Sequence, residues 1–201
     1  MKGPRRILIV ANWKCNPATL SEAQRLCAAA AKTIPKSKNV DVVLCPPVLF
    51  LSDFKLHPPA GGKSYKLGAQ DVYWEDTGAY TGAIGSRMAR SVGASYAIVG
   101  HSERREHFKE TNEMVQAKVA AALEAGLHVV LCVGERSREG DAAAYAAFVK
   151  DEVQIGLRGV TKQALRNVII AYEPIWAVGA FAKSADTPEA TEEIVIFIKK
   201  V

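Results

Sequence analysis

Asn12 and Lys14 are the first residues of the chain whose types and spacing could bind an anion. They follow the apolar run Ile7–Ala11 and lie two positions apart, so in an extended chain an amide and a cation point to the same side. The alternative is an ordinary strand end with a solvated lysine. This segment alone favours that alternative.

His101 directly follows a second apolar run, Tyr96–Val99 and Gly100, and precedes a polar helical turn. The N–H groups at the start of a helix disfavour protonation of a nearby imidazole, and a neutral imidazole can donate a hydrogen bond. A surface loop in which Ser102 caps a helix explains the segment equally well.

Glu173 follows the apolar run Val168–Ala171 and lies near Trp176. Partial removal from water would make this carboxylate a better general base near neutral pH. The alternative is a carboxylate paired with a nearby arginine or lysine. The following segment, Ala177–Asp186, is rich in small residues and fits either a mobile lid or a connector.

Short apolar runs separated by helical patterns must position these residues. The predicted strands are Ile7–Ala11, Val40–Cys45, Lys66–Gln70, Tyr96–Val99, His128–Val133 and Val168–Ala171. The predicted helix starts are Thr19 (with Glu22), Thr111, Asp141 and Thr187-Pro188, with weaker helices after Pro47 and Gly85. Near-continuous apolar strands alternating with helices predict an α/β fold with a parallel sheet, in a single domain over residues 1–201. Periodicity alone leaves open whether the sheet is doubly wound or a barrel.

Composition excludes several classes of protein. The chain has 201 residues, 49% of them hydrophobic, which excludes a disordered chain. The net charge of +5 favours anionic ligands. The sequence has no basic block with interleaved aromatic residues, so we do not expect nucleic-acid binding. No apolar run reaches the roughly 18 residues of a membrane span. The sequence has no apolar run long enough for a signal peptide, no metal-type cysteine spacing and no dinucleotide fingerprint. Without an export signal, we expect a reduced chain in the cytoplasm.

Five motifs occur together and in order along the chain. They are Asn12-Trp13-Lys14, Gly68-Ala69-Gln70-Asp71, Gly78-Ala79-Tyr80-Thr81-Gly82, Gly100-His101-Ser102-Glu103-Arg104-Arg105 and Ala171-Tyr172-Glu173-Pro174-Ile175-Trp176-Ala177. Together they closely resemble the triosephosphate isomerase family. The resemblance implies a TIM (β/α)8 barrel that interconverts dihydroxyacetone phosphate and glyceraldehyde 3-phosphate, with no cofactor.

The resemblance also implies roles for the catalytic and substrate-binding residues. Glu173 would remove a proton from the carbon beside the carbonyl, and neutral His101 would polarise that carbonyl. Lys14 would hold the phosphate and offset the developing negative charge, and Asn12 would donate to substrate oxygens. Gly179 would meet the phosphate through its backbone N–H.

Two supporting residues and a partner follow from the same resemblance. Glu103 corresponds to a buried acid that orients the lysine, and Ser102 stands beside it. The segment Gln70–Gly82 resembles a loop that enters a second subunit, which implies a homodimer. At the tip of this loop, Ala83 and Gly85 replace the Glu and Ser that are usual in the family. The segment Ala177–Asp186, which corresponds to the family's lid, is about two residues longer than the common family pattern.

The chain stops after its sixth βα unit, whereas a barrel of this type has about 250 residues. We therefore expect a truncated part of a longer enzyme, with weakened phosphate binding and exposed edges and inner faces at the first and last strands. The alternative is an inactive fragment, or a non-catalytic phosphate-sugar-binding protein, that needs a complementing partner.

Overall fold

All six predicted strands form, and their bounds differ from the predictions by two residues at most. The strands are β1 (Ile7–Asn12), β2 (Val40–Cys45), β3 (Lys66–Ala69), β4 (Ala94–Val99), β5 (His128–Val133) and β6 (Val168–Tyr172). The computed structural model describes residues 6–34, 37, 39–56, 65–138, 142–178, 182 and 184–201.

Each strand pairs in parallel with its neighbour in the sequence, in the order β1-β2-β3-β4-β5-β6. A doubly wound sheet reverses its strand order at a switch point, and this sheet does not. An unbroken sequential order with helical crossovers is the order of a (β/α) barrel. The structure thus decides between the two architectures that periodicity left open, and it contains the first six βα units of such a barrel.

Helices connect the strands and cover one face of the sheet. They are α1 (Leu20–Thr33), α2 (Val48–Leu56), α3 (Ser86–Ser91), α4 (Ser102–His107), α5 (Asn112–Glu124), α6 (Ala142–Gly156) and α7 (Pro188–Ile198), with short 3-10 helices at Ala164–Asn167 and Ile175–Ala177. The region after β4 therefore holds two helices.

Three of the predicted helix starts are capped as expected. Thr19, Thr111 and Thr187 each accept a hydrogen bond from the backbone N–H three residues ahead, over 3.2–3.3 Å. Each such cap stabilises its helix by about 1 kcal/mol. Asp141, the predicted start of α6, lies outside the described residues.

The two faces of the sheet bury separate sets of side chains. The larger core joins the helices to one face and includes Ala23 and Cys27 of α1, Phe54 of α2 and Val119 of α5. The inner face carries a smaller cluster that contains strand residues alone. Its members are Val43, Cys45, Tyr96, Ile98, Val130 and Cys132, with Leu8, Val10, Ile169 and Ala171 packed against them.

At the first edge strand, β1, the side chains on the outer face are more exposed than those on the inner face. Ile7 and Ile9 of β1 are 54% and 48% exposed. They alternate with Leu8 and Val10, which pack against the inner cluster, so the exposed side chains belong to the face that helices cover elsewhere. Within the described ranges, no helix is long and apolar enough to cross a bilayer.

Candidate active site

A cavity of about 540 Å³ opens at the carboxyl ends of the strands. Five of the residues proposed from the sequence line it, namely Lys14, His101, Ser102, Glu103 and Glu173. They come from the ends of β1, β4 and β6, which are far apart in the sequence but meet at one edge of the sheet. Functional groups of parallel α/β proteins gather at this edge.

Glu173 and His101 face each other across this cavity. Glu173 directly follows β6, and its side chain is 18% exposed. Its Oε1 lies 3.5 Å from Nε2 of His101, and its Oε2 accepts a hydrogen bond from the backbone N–H of Ser102 over 3.3 Å. A carbon atom does not fit into a 3.5 Å gap, so the Glu173 side chain would have to rotate away for a substrate to enter between the two groups.

The position of His101 defines the form of its imidazole. His101 is the N-cap of α4, and its Nδ1 accepts a hydrogen bond from the backbone N–H of Glu103 over 3.2 Å. A nitrogen that accepts a hydrogen bond carries no proton, so this contact favours the tautomer with its proton on Nε2, the atom that faces Glu173. Gly100, with φ of 73°, supplies the left-handed turn that brings the ring to the strand end.

Lys14 occupies a strained backbone conformation that its neighbours stabilise. Its φ is 55°, in the left-handed region that non-glycine residues rarely adopt. Asn12 Oδ1 accepts from the Lys14 backbone N–H over 2.9 Å, and Gln70 Nε2 donates to the carbonyls of Lys14 and Cys45, each over 2.8 Å. The sequence analysis did not propose Gln70 as a site residue, although its position directly after β3 is typical of functional residues in a parallel sheet.

Asn12 is the last residue of β1, and its side chain does not line the cavity that contains Lys14, His101 and Glu173. Its carbonyl oxygen binds the Lys14 backbone, which leaves the amide N–H₂ as the donor it can offer to a ligand. Gly179 lies outside the described residues.

Glu103 contacts Lys14, but it is not the buried acid that the resemblance implied. Its Oε1 lies 2.6 Å from Lys14 Nζ, and 44% of each side chain is exposed. The pair lies at the open mouth of the cavity, where water screens it and limits its contribution to stability.

Two residues after β5 fix the backbone that carries Glu173. A Cβ on Gly134 would lie 1.8 Å from the Glu173 carbonyl oxygen, so only glycine fits this close approach. Glu173 N–H donates to the Val133 carbonyl over 2.8 Å, and Ile175 N–H donates to the Glu135 carbonyl over 3.0 Å. Sequence reasoning assigned no function to Gly134 or Glu135.

Cys132 is a buried thiol at the end of β5, and its side chain hydrogen-bonds Glu173. Burial and then the charge of Glu173 raise the pKa of the Cys132 thiol well above its usual value. A thiol in that state is a poor nucleophile. Over the described ranges, no group of three or more His, Cys, Asp or Glu side chains is arranged to hold a metal ion.

The sequential parallel sheet and the cavity at its carboxyl edge define a (β/α)-barrel protein with a strand-end site. The sequence profile of the triosephosphate isomerase family matches residues 7–201. The chain belongs to the triosephosphate isomerase family.

Individual relatives agree with this assignment. The chain is 38% identical to a triosephosphate isomerase of Alkaliphilus metalliredigens (strain QYMF), over 98% of this chain and 77% of that protein. It is 41% identical to one from Thermoanaerobacter sp. (strain X514), over 94% and 75%. The crystal structure of triosephosphate isomerase from Bartonella henselae superposes with a TM-score of 0.78 at 33% identity, covering 97% of this chain and 75% of that one.

Proposed function

We propose that this chain interconverts dihydroxyacetone phosphate and glyceraldehyde 3-phosphate, with Glu173 as the base. The observation that carries the proposal is the meeting of Glu173 and His101, 3.5 Å apart, in a cavity that Lys14 also lines. Membership of the triosephosphate isomerase family favours this activity over the inactive-fragment and binding-only alternatives.

In the first step, the Glu173 carboxylate removes a proton from C1 of dihydroxyacetone phosphate, the hydroxymethyl carbon beside the carbonyl. The electron pair of that C–H bond forms a C1–C2 double bond, and the carbonyl π electrons move to O2. The product is an enediolate with its negative charge on O2. General-base catalysis of this kind contributes about 10²–10⁴-fold to the rate.

His101 and Lys14 stabilise the charge that develops on O2. The Nε2–H of neutral His101 can donate to O2, and the Lys14 ammonium supplies a positive charge near the same oxygen. Donors that are already in place at the start of the reaction need no reorganisation when the charge forms. Lys14 also provides the attraction that a substrate phosphate requires, and the Asn12 amide adds a donor.

The second half of the reaction returns both protons. His101 gives its Nε2 proton to O2 and takes the proton of O1, so it ends neutral. Glu173 then delivers its proton to C2, the O1 electrons form the new C1 carbonyl, and glyceraldehyde 3-phosphate results. No other reactant is consumed.

A coupled isomerase assay of the chain tests this function with Glu173→Gln, which keeps the size of the side chain and removes the base. We expect turnover in the wild type, a loss of at least 10²-fold in the variant, and unchanged turnover in the control Glu192→Gln, which alters an exposed residue of α7. Calorimetric titration with dihydroxyacetone phosphate should show binding by both the wild type and Glu173→Gln. Binding with no wild-type turnover would instead favour the binding-only alternative.

We also propose a homodimer in which the Gln70–Gly82 loop of each subunit enters a recess of the other. A second cavity of about 540 Å³ lies beside this loop. Apolar side chains that line it stay exposed in the single chain, with Phe108 at 66%, Met114 at 38% and Val48 at 37%. Glu110 lines the recess with a side chain only 5% exposed, and its Oε2 has no hydrogen-bond partner among the described residues. A docked subunit would cover the apolar groups and offer that oxygen a donor.

Light scattering across a concentration series tests the dimer. We expect the wild type to be dimeric and Phe108→Ser to shift the equilibrium towards monomer, because the serine removes the largest exposed ring of the recess. Leu165→Ser is the matched control, since Leu165 is 40% exposed in the 3-10 helix before β6. A monomeric wild type, or equal dimerisation of both variants, would contradict this interface.

We place the protein in the cytoplasm. Cys15, Cys45 and Cys132 form no disulfide in the described structure, which suits a reducing compartment.

A further inference from the structure

Arg138, in the loop after β5, binds both ends of the connection between β6 and α7. At the first end, its guanidinium donates to the Tyr172 hydroxyl over 2.8 Å and lies 5.2 Å from the centre of the Trp176 ring. At the second end, its terminal nitrogen lies 3.3 Å from Asp186 Oδ1. The side chains of Arg138 and Asp186 are only 18% and 10% exposed, so water weakens this ion pair little.

Asp186 is itself fixed against the start of α7. Its Oδ1 accepts from the Thr187 backbone N–H over 2.9 Å, and its Oδ2 accepts from the Thr191 hydroxyl over 2.7 Å. These contacts aim the carboxylate at Arg138 and place a negative charge beside a helix N-terminus, where it is favoured. A nearly buried carboxylate with this many partners is held in one orientation.

The Glu135 carboxylate connects this ion pair to the segment that carries Glu173. It is 1% exposed and accepts from Arg138 Nε over 2.8 Å, from the Tyr172 hydroxyl over 2.8 Å and from Trp176 Nε1 over 2.9 Å. Tyr172 and Trp176 stand on either side of Glu173 in the chain. A buried carboxylate needs a cation beside it, and Arg138 is that cation for both Glu135 and Asp186.

We propose that Asp186 is a positioning residue of the site: it holds Arg138 against Glu135 and Trp176, and thereby fixes the turn from which Glu173 extends. The catalytic consequence of this role rests on the isomerase function proposed above. Asp186 does not line the cavity, and its ion pair with Arg138 is the contact that links it to the segment around Glu173.

The variant Asp186→Asn tests the role, because it keeps the shape of the side chain and an oxygen that can accept from the Thr187 N–H, and it removes the charge that holds Arg138. Asp151→Asn is the matched control, since Asp151 is an exposed residue of α6. We expect kcat of Asp186→Asn to fall about tenfold with KM within twofold of the wild type, because the base is misplaced while Lys14 is untouched. Asp186→Glu, which restores the charge, should recover at least part of kcat.

A second measurement reports positioning without depending on turnover. Hydrogen exchange of the Ile175 amide, which donates to the Glu135 carbonyl, should become at least tenfold faster in Asp186→Asn and stay unchanged in Asp151→Asn. Unchanged exchange and kcat in Asp186→Asn, or equal effects in both variants, would overturn the proposal. If the wild type shows no turnover, the isomerase function fails, and the exchange rates still decide whether Asp186 positions this turn.

Discussion

Lys14 combines a positive φ with the cation that the proposed chemistry requires. The strain is maintained because Asn12 and Gln70 bind its backbone on both sides, which directs the ammonium group to the cavity mouth. Strained backbone at such a position is typical of functional residues.

Replacing Lys14 by methionine removes the charge and keeps most of the chain length. We predict a fall in kcat/KM of about 10²–10³-fold, as for loss of one preorganised group that stabilises an oxyanion. Steady-state kinetics check this, with Lys150→Met on the exposed side of α6 as the control. Because Lys14 is half exposed, thermal unfolding should change little in either variant. A loss below threefold in Lys14→Met would remove Lys14 from the mechanism.

A substitution at Gly134 tests the close backbone contact between the segment after β5 and Glu173. Gly134→Ala puts a methyl group 1.8 Å from the Glu173 carbonyl oxygen, so the backbone must move. We predict a loss of at least about 2 kcal/mol in unfolding free energy, measured in urea, and loss of activity. Gly159→Ala is the comparison: its Cβ meets nothing within 4 Å, and its φ of 82° costs only about 1 kcal/mol. Equal stability of the two variants would show that the approach tolerates a side chain.

At the scale of elements, Glu152 joins α6 to the end of β5 and to α4. Its side chain is 2% exposed, its Oε2 accepts from the Gly134 N–H over 2.8 Å, and its Oε1 lies 3.5 Å from Arg105. Burial raises the pKa of Glu152 above 4.5, although Arg105 opposes this. Between 4.5 and the raised pKa, the folded state holds a proton that the unfolded state has lost. This group therefore makes the unfolding free energy fall as pH rises through that window, by up to about 1.4 kcal/mol per pH unit.

Glu152→Gln removes that titration and keeps an oxygen that can accept from Gly134. We predict that the stability of the variant relative to the wild type increases with pH across the window and then levels off. Urea unfolding at a series of pH values from about 4 upwards checks the sign. A difference that stays constant, or decreases with pH, would show that Glu152 ionises in the folded state at least as readily as in the unfolded chain.

The elements also show which features the sequence could predict. Strand bounds came from apolar runs, and three helix starts came from cap residues, because both depend on neighbouring positions. The α3 start is different, since Gly85 has no capping side chain. Asp76, nine residues earlier, accepts from the Arg87 N–H over 3.0 Å and so satisfies this helix end. A contact between a loop and a later helix leaves no local pattern in the sequence.

At the scale of the whole molecule, the position of a residue directly after a strand predicted which side chains meet in the cavity. It did not predict the residues that position those side chains. Glu173, His101 and Lys14 each follow an apolar run, so a parallel sheet must bring them to one edge. Gln70 donates to backbone carbonyls 25 and 56 positions away, and Arg138 donates to a hydroxyl 34 positions away, separations that no spacing rule predicts. The exposure of Glu103 follows from where the cavity opens, a property of the assembled sheet.

The central claim is that Glu173 removes a proton from a triose phosphate while His101 and Lys14 stabilise the resulting anion. The most direct measurement is proton NMR of glyceraldehyde 3-phosphate incubated with the chain in D₂O, corrected for exchange without protein. We predict that the wild type places deuterium on the carbon beside the carbonyl, and that Glu173→Gln reduces this exchange by at least 10²-fold. Exchange at the wild-type rate in Glu173→Gln, or no exchange in a wild type that binds the substrate, would contradict the account.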